Sequence, residues 1–245
     1  MLVIWEAIYK LNVEYLGIWK SYSFPSPIDV GKTLINLISD STLGIAVLVS
    51  LKRVIMGYAI SIIIGLLLGV FIVKFKYIDE NLTPLILGLQ TLPSICWLPF
   101  AILWYGLNES SIIFVIVIGS IFSIAIAVES SIKNINPIYI KAARTLGAKG
   151  WKIYIDVILP ASLPGIISGL KQGWSFAWRA LMAGEMLSAT TGLGQILMMG
   201  RDLSDISQVM AVMLVIIILG LIVEKLIFGK VEKSIRHRWG MASDN

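Results

Sequence analysis

The chain has 245 residues, 57% of them hydrophobic and only 14% charged, with a formal net charge of +5 and a mean hydropathy of +0.86. A soluble protein of this length could not solvate so apolar a surface, so the composition indicates a polytopic membrane protein, in one domain because no long polar linker divides the apolar runs. The positive charge is what cytoplasmic loops at a membrane surface produce and needs no nucleic acid to explain it, while the single cysteine, Cys96, excludes a disulfide within the chain.

Residues 1–53 read as an amphipathic, interfacial segment. Glu6, Lys10 and Glu14 recur at helical spacing and give an otherwise apolar helix one charged stripe, which suits a helix lying in the interface. No basic stretch precedes the apolar residues, so a signal peptide is not expected. Phe24-Pro25-Ser26-Pro27 breaks this helix, and a second short amphipathic piece is predicted over Asp29 to Ser39.

The first span is predicted from Val54 to Val73, bounded by Lys52-Arg53 and Lys74. Gly57, Ser61, Gly65 and Gly69 fall every fourth residue along it, a stripe of small side chains that lets membrane helices approach closely. A second span lies between Glu80 and Glu109, with Pro93 and Pro99 inside it; such prolines mark either a cavity wall or a kink satisfied by a neighbour. Ser110 to Val128 is the third, with Gly119, Ser123, Ala127 and Ser131 at intervals of four. Gly165 to Leu187 is the fourth, where Gly165, Gly169, Gly173 and Ala177 repeat the device, and Ile206 to Val223, extending to Phe228, is the fifth.

Between the third and fourth spans lies a polar island, residues 131–164. Asn136 can cap a helix, Pro137 suits its first position, and Gly147 suits the left-handed residue past its end. Ile138, Ala142, Thr145 and Leu146 share one face, with Lys141 and Arg144 beside it. The face is small-featured, and a helix of about ten residues needs something to pack against.

The run Ala142-Ala143 to Gly147, followed by Leu159-Pro160 and Pro164, resembles the EAA loop of the membrane-spanning permease subunits of ABC importers. Pro93, Pro99, Trp104-Tyr105-Gly106, the stretch from Leu170 to Glu185 and Gly192-Leu193-Gly194 are similar to its nitrate/sulfonate/taurine branch. One departure is Lys141, which stands where the family has Glu. The resemblance implies an all-α integral membrane fold with five transmembrane helices plus an N-terminal interfacial or partial helix. In it the 54–228 permease domain carries a cytoplasmic coupling helix between spans three and four, and residues 229–245 form a basic cytoplasmic tail. The implied partners are an ATP-binding cassette subunit docking on Lys141, Ala142, Ala143, Arg144, Gly147, Leu159 and Pro160, an extracytoplasmic substrate-binding protein, and a second permease subunit in a homodimer. The implied location is the cell membrane, and the implied cargo a small anion such as nitrate or a sulfonate. An ATPase-independent channel or a secondary transporter stays open as the alternative; inverted repeats would favour it, and none is evident.

Charge placement agrees in the main. With the 131–164 loop cytoplasmic, residues 74–81 and the tail join it and share eleven basic residues, from Lys74 to Arg238, whereas the opposite loops hold only Arg201. The N-terminal cations Lys10, Lys20, Lys32, Lys52 and Arg53 fall on the wrong side, a conflict the sequence leaves standing.

Enzyme chemistry has little support. His237 is the only histidine and cannot make a zinc site with one cysteine. No phosphate loop occurs, so ATP would have to be bound by another polypeptide. No catalytic residue, cofactor or metal is expected. The ionisable groups that stand out inside a span are Lys171, Arg179 and Glu185. Lys171 is near enough to the cytoplasmic end to snorkel. Arg179 and Glu185 are candidates for the substrate pathway or for structural pairing with neighbouring helices, and their spacing of six keeps them from pairing with each other.

Overall fold

A computed structural model describes residues 2–17, 24–188 and 190–238, and every regular element among them is helical. Helix α1 (Leu2–Tyr9) runs into a π turn, Lys10–Tyr15, and Glu6 pairs with Lys10 at 3.4 Å. The side chain of Glu14, the third member of the stripe, lies outside the described residues, as does Lys20. Helix α2 (Pro27–Ser39) starts at the predicted break, where Ser26 Oγ accepts the Asp29 N–H at 3.1 Å.

Helix α3 (Thr42–Lys74) brings the first correction. It starts twelve residues before Val54 and runs straight through Lys52 and Arg53, which were expected to bound it. A cation ends a span only where water has to solvate it. Here Arg53 is 2% exposed and paired with the buried Glu185 inside the bundle, while Lys52 holds the more exposed Glu109 at 3.3 Å. The expected boundary at residue 53 therefore falls inside a helix.

The second span also differs from expectation. It is two helices, α4 (Lys76–Gln90) and α5 (Leu98–Tyr105), bent by 99° around Thr91–Pro93 and the 3₁₀ turn Ser94–Trp97. Pro93 has no N–H to continue the helix and drives the residue before it out of helical geometry. The pair still crosses. Near the start of α4, Asp79 accepts from Lys133, the last residue of α6 (Glu109–Lys133), at 2.6 Å. The end of α5 turns directly into Glu109 at the other end of α6. With the four long apolar helices, this broken crossing makes five.

Helix α7 (Pro137–Thr145) follows, then α8 (Trp151–Ile153), a π turn (Tyr154–Ile158) and α9 (Leu159–Leu187) as one continuous run. The π turn sits directly before Pro160, whose missing N–H and ring would clash with a regular α turn. Helix α10 (Leu193–Asp202) is short and packs on α11 (Ile206–Val223), which continues through a second π turn, Glu224–Phe228, into α12 (Gly229–Arg238). Residues past Arg238 and the side chains of Arg236, His237 and Arg238 lie outside the description.

Helix α6 is the centre, with α3 on one side and α9 on the other. Gly57, Gly65 and Gly69 of α3 lie so close to it that a Cβ would come within 2.7 Å of Ile116, 2.8 Å of Ile124 and 2.6 Å of Val128. On the other side two stripes meet: Gly165 faces Ser131, Gly169 faces Ala127, and Gly119 faces Ala180. Dispersion between closely spaced backbones holds such helices where lipid offers no hydrophobic contrast. Ser120 donates to Ser61 at 2.8 Å across the first seam. Lys171 does more than snorkel, pairing with Glu224 at 3.0 Å.

The molecule thus has one end with Lys74, Asp79, Lys133 and α7, and another with Lys52, Arg53 and Glu109. Of the five cations that strained the charge rule, Arg53 is buried within the bundle and is not a loop charge, whereas Lys10 and Lys52 pair with Glu6 and Glu109 at the surface and still count against it.

Candidate functional site

Three places combine polar chemistry with an unusual position in the fold: the α7 loop, a buried cluster at the far end, and a cleft between them.

The loop takes the form its punctuation predicts. Asn136 Oδ1 accepts the Ile138 N–H at 3.0 Å, and Pro137 occupies the first turn. At the other end Gly147 has φ +88°, with Gly147 N–H bonding to Arg144 O at 3.0 Å and Ala148 N–H to Ala143 O at 2.9 Å. Those two bonds form a Schellman cap, and its left-handed residue is the reason for glycine. Lys141, Ala142, Arg144 and Gly147 are exposed and Ala143 is half-buried. Leu159 is exposed and Pro160 half-buried, both following the π turn that supports α7. No residue of α7 is buried, and Ile138, Tyr139, Leu146 and nearby Trp151 present apolar surface.

The cluster was missed by sequence reasoning, apart from one member. Glu185, at the end of α9, is 0% exposed. Its carboxylate takes Arg53 Nη1 at 2.9 Å, the Ser50 hydroxyl at 2.7 Å and the Gly194 N–H at 3.1 Å. Arg53 Nη1 also donates to Thr191 O at 2.7 Å, its Nη2 lies 3.4 Å from Glu109, and Ser50 Oγ accepts the Leu193 N–H at 3.0 Å. The carboxylate therefore sits at the N-terminus of α10, where the helix dipole favours a negative charge. The glycines of Gly192-Leu193-Gly194 have a packing reason: a Cβ at Gly192 would strike the Glu185 carboxylate, and one at Gly194 would come within 2.7 Å of Glu185 Cβ. Arg179 and Glu185 do not pair, as expected. Glu185, a candidate for the substrate pathway or for structural pairing, takes the second role here, its carboxylate sealed among these partners.

The cleft lies at the 99° bend. It has a volume of 420 Å³ and is walled by Leu89–Ile95 and Trp97 of the bend, Ile118, Gly119 and Phe122 of α6, and Phe176, Arg179 and Ala183 of α9. The α6 residues fall near the middle of that helix, roughly 14–22 Å from either end at ~1.5 Å per residue, so the cleft is at mid-membrane depth. Pro93 is a cavity-wall proline. Arg179 is exposed into the cleft, its Nε donating to Ser175 O at 3.1 Å and its guanidinium 4.6 Å from the Phe176 ring centre. No carboxylate partners it among the described residues.

Residues 61–237 match the family described as the inner membrane component of binding-protein-dependent transport systems. The chain belongs to that family. It is a multi-pass membrane permease, and the family's function is transport, not catalysis. The permease is 38% identical over 179 residues to a putative ABC transporter permease protein of Methanocaldococcus jannaschii, covering 73% of this chain and 67% of that one. It is 28% identical over 236 residues to the nitrate import permease protein of Synechocystis sp., covering 93% and 83%. With the taurine transport system permease protein of Escherichia coli it shares 29% identity over 185 residues, covering 76% and 67%. Among solved structures, inward-facing MetNI methionine ABC transporter matches its fold with a TM-score of 0.66 at 20% identity, covering 79% of this chain and 96% of that chain.

Proposed function

We propose that this permease imports a small anion of the nitrate, sulfonate or taurine kind, driven by a separate ATP-binding cassette subunit that docks on α7. An extracytoplasmic binding protein delivers the anion to the Glu109 end, and two copies of the chain enclose the path. The observation that carries this reading is α7 itself. It is a fully capped helix of nine residues with none buried, at the basic end of the molecule, with apolar side chains exposed beside it. Such a short helix is marginal alone in water, and this one gains its stability against a partner. The chain has no phosphate loop, so the ATP site belongs to that partner.

The connectivity supplies a mechanism. Helix α7 hangs between the end of α6 and the run that leads into α9, and both helices wall the cleft. A displacement of α7 by the ATPase tilts both walls, opening or narrowing the cleft where Arg179 meets the anion. Glu185 has no part in the path, since its oxygens are already occupied.

Co-expression with a tagged cognate ATP-binding subunit tests the docking role. The wild-type chain should co-purify, and Gly147→Val should insert normally but be lost from the complex. A β-branched residue in the left-handed region costs at least about 1–2 kcal/mol, and there is open space around the position, so the damage stays local to the cap. Undiminished co-purification of Gly147→Val would remove α7 from the docking site.

A further inference from the structure

From the cleft's walls we infer that it binds an organic anion, an oxyanion head on an apolar body, with Arg179 holding the head and Trp97, Phe122 and Phe176 flanking the body. The inference rests on the reading that the permease carries anions, and narrows it from any small anion to an organic one bound at a named place.

Arg179 supplies the head-group contact. A guanidinium at this depth costs about 2.5–3.5 kcal/mol even on the lenient insertion scale, and among the described residues no carboxylate offsets it. Only its Nε is bonded, to the backbone at Ser175. The terminal nitrogens remain as a planar fork, the geometry that matches a carboxylate or sulfonate. Gln90 and Ser94 line the same cleft, and their side chains make no internal hydrogen bond among the described residues. Together they place a guanidinium fork and two neutral polar groups on one cleft.

The body follows from size and walls. A cleft of 420 Å³ lies within the ~300–1,000 Å³ range of pockets for organic ligands. A four-atom inorganic ion would fill a small part of it and leave Leu89, Ile118, Phe122 and Trp97 in contact with water. An alkyl or aryl body covers those walls, and Phe176, already stacked under the guanidinium, fixes the fork's plane.

The test uses the purified chain in lipid nanodiscs. Ser94→Cys is made with the native Cys96→Ser, so that the only thiol faces the cleft; Thr91→Cys, on the same wall, serves if the first variant fails to fold. Labelling rates are compared for anionic sulfonatoethyl methanethiosulfonate and its cationic trimethylammonioethyl analogue. The anion should be favoured at least about fivefold, and Arg179→Gln should bring the ratio near one. Hexanesulfonate should slow labelling saturably, with sodium nitrate and hexanol far weaker at equal concentration. Equal protection by hexanol, with no effect of Arg179→Gln, would make the cleft a lipid-facing groove and overturn the inference. Protection by nitrate equal to that by hexanesulfonate would overturn the organic body, and a ratio near one in both backgrounds would overturn the anion site. The assay contains no ATPase, so its failure leaves the docking result of α7 standing, and failure of that docking leaves this one standing.

Discussion

Replacing Arg53 by methionine is the sharpest perturbation of the fold. It keeps an unbranched side chain of similar reach and strands Glu185, which is wholly buried, with the Ser50 hydroxyl and the Gly194 N–H as its remaining donors. Removing one partner of a buried ion pair costs about 3–5 kcal/mol. Two features place this case at the low end. The N-terminus of α10 still faces the carboxylate, and Arg53 Nε already lacks a hydrogen bond, a cost that methionine relieves. About 3 kcal/mol, at ~2–4 °C per kcal/mol for a chain of this size, is a loss of roughly 6–12 °C in Tm. The assay is thermal unfolding of the purified protein in one detergent. Adding Glu185→Gln should restore at least half of the loss, because the orphaned charge goes while an acceptor for Gly194 stays. Lys52→Met, which breaks only the exposed pair with Glu109, should cost under about 1 kcal/mol. An Arg53→Met protein within 2 °C of wild type, or a double variant showing the full sum of two losses, would refute the reasoning.

Gly65→Leu should lower Tm by a few degrees, since its Cβ would reach 2.8 Å from Ile124 and overpacking costs about 1–3 kcal/mol; Gly44→Leu, with nothing within 4 Å, should not. In a Cys96→Ser background, Leu107→Cys should react with impermeant thiol reagents in intact cells and Lys149→Cys should not; the reverse pattern would invert the topology. Arg179→Met should abolish transport with the yield of folded complex unchanged, because no acidic partner is orphaned, and Arg179→Lys should retain part of it. A fall in yield on Arg179→Met would make the residue structural.

What the sequence made legible was local. Asn136, Pro137 and Gly147 delimit α7 because caps are read by residues within one turn. The small-residue stripes predicted close packing, and Gly119, Ala127 and Ser131 do meet the next span. What stayed hidden depended on distance along the chain. Arg53 and Glu185 are 132 positions apart, and neither periodicity nor spacing can join them. Without that partner, Lys52-Arg53 looked like the edge of a span. Helix α10 is too short and too mixed to read as membrane structure, and its place is set by Glu185. Pro93 announced a kink, but a proline reports only an interruption; that α4 and α5 both pack on α6 across a 99° bend is a long-range fact the residue itself does not carry. Arg179 was half legible: a charge inside a predicted span singled it out, and only the bend gave it a cleft to face.

The central claim is that α7 couples this permease to ATP hydrolysis elsewhere. The most direct measurement is uptake of radiolabelled anion into proteoliposomes holding the permease, the cognate ATP-binding subunit and the binding protein, with and without ATP on the α7 side. The account predicts uptake only with ATP and the ATP-binding subunit, and its loss in Gly147→Val. Equal uptake by the permease alone, unchanged by ATP, would contradict it and make the chain a channel or a secondary transporter.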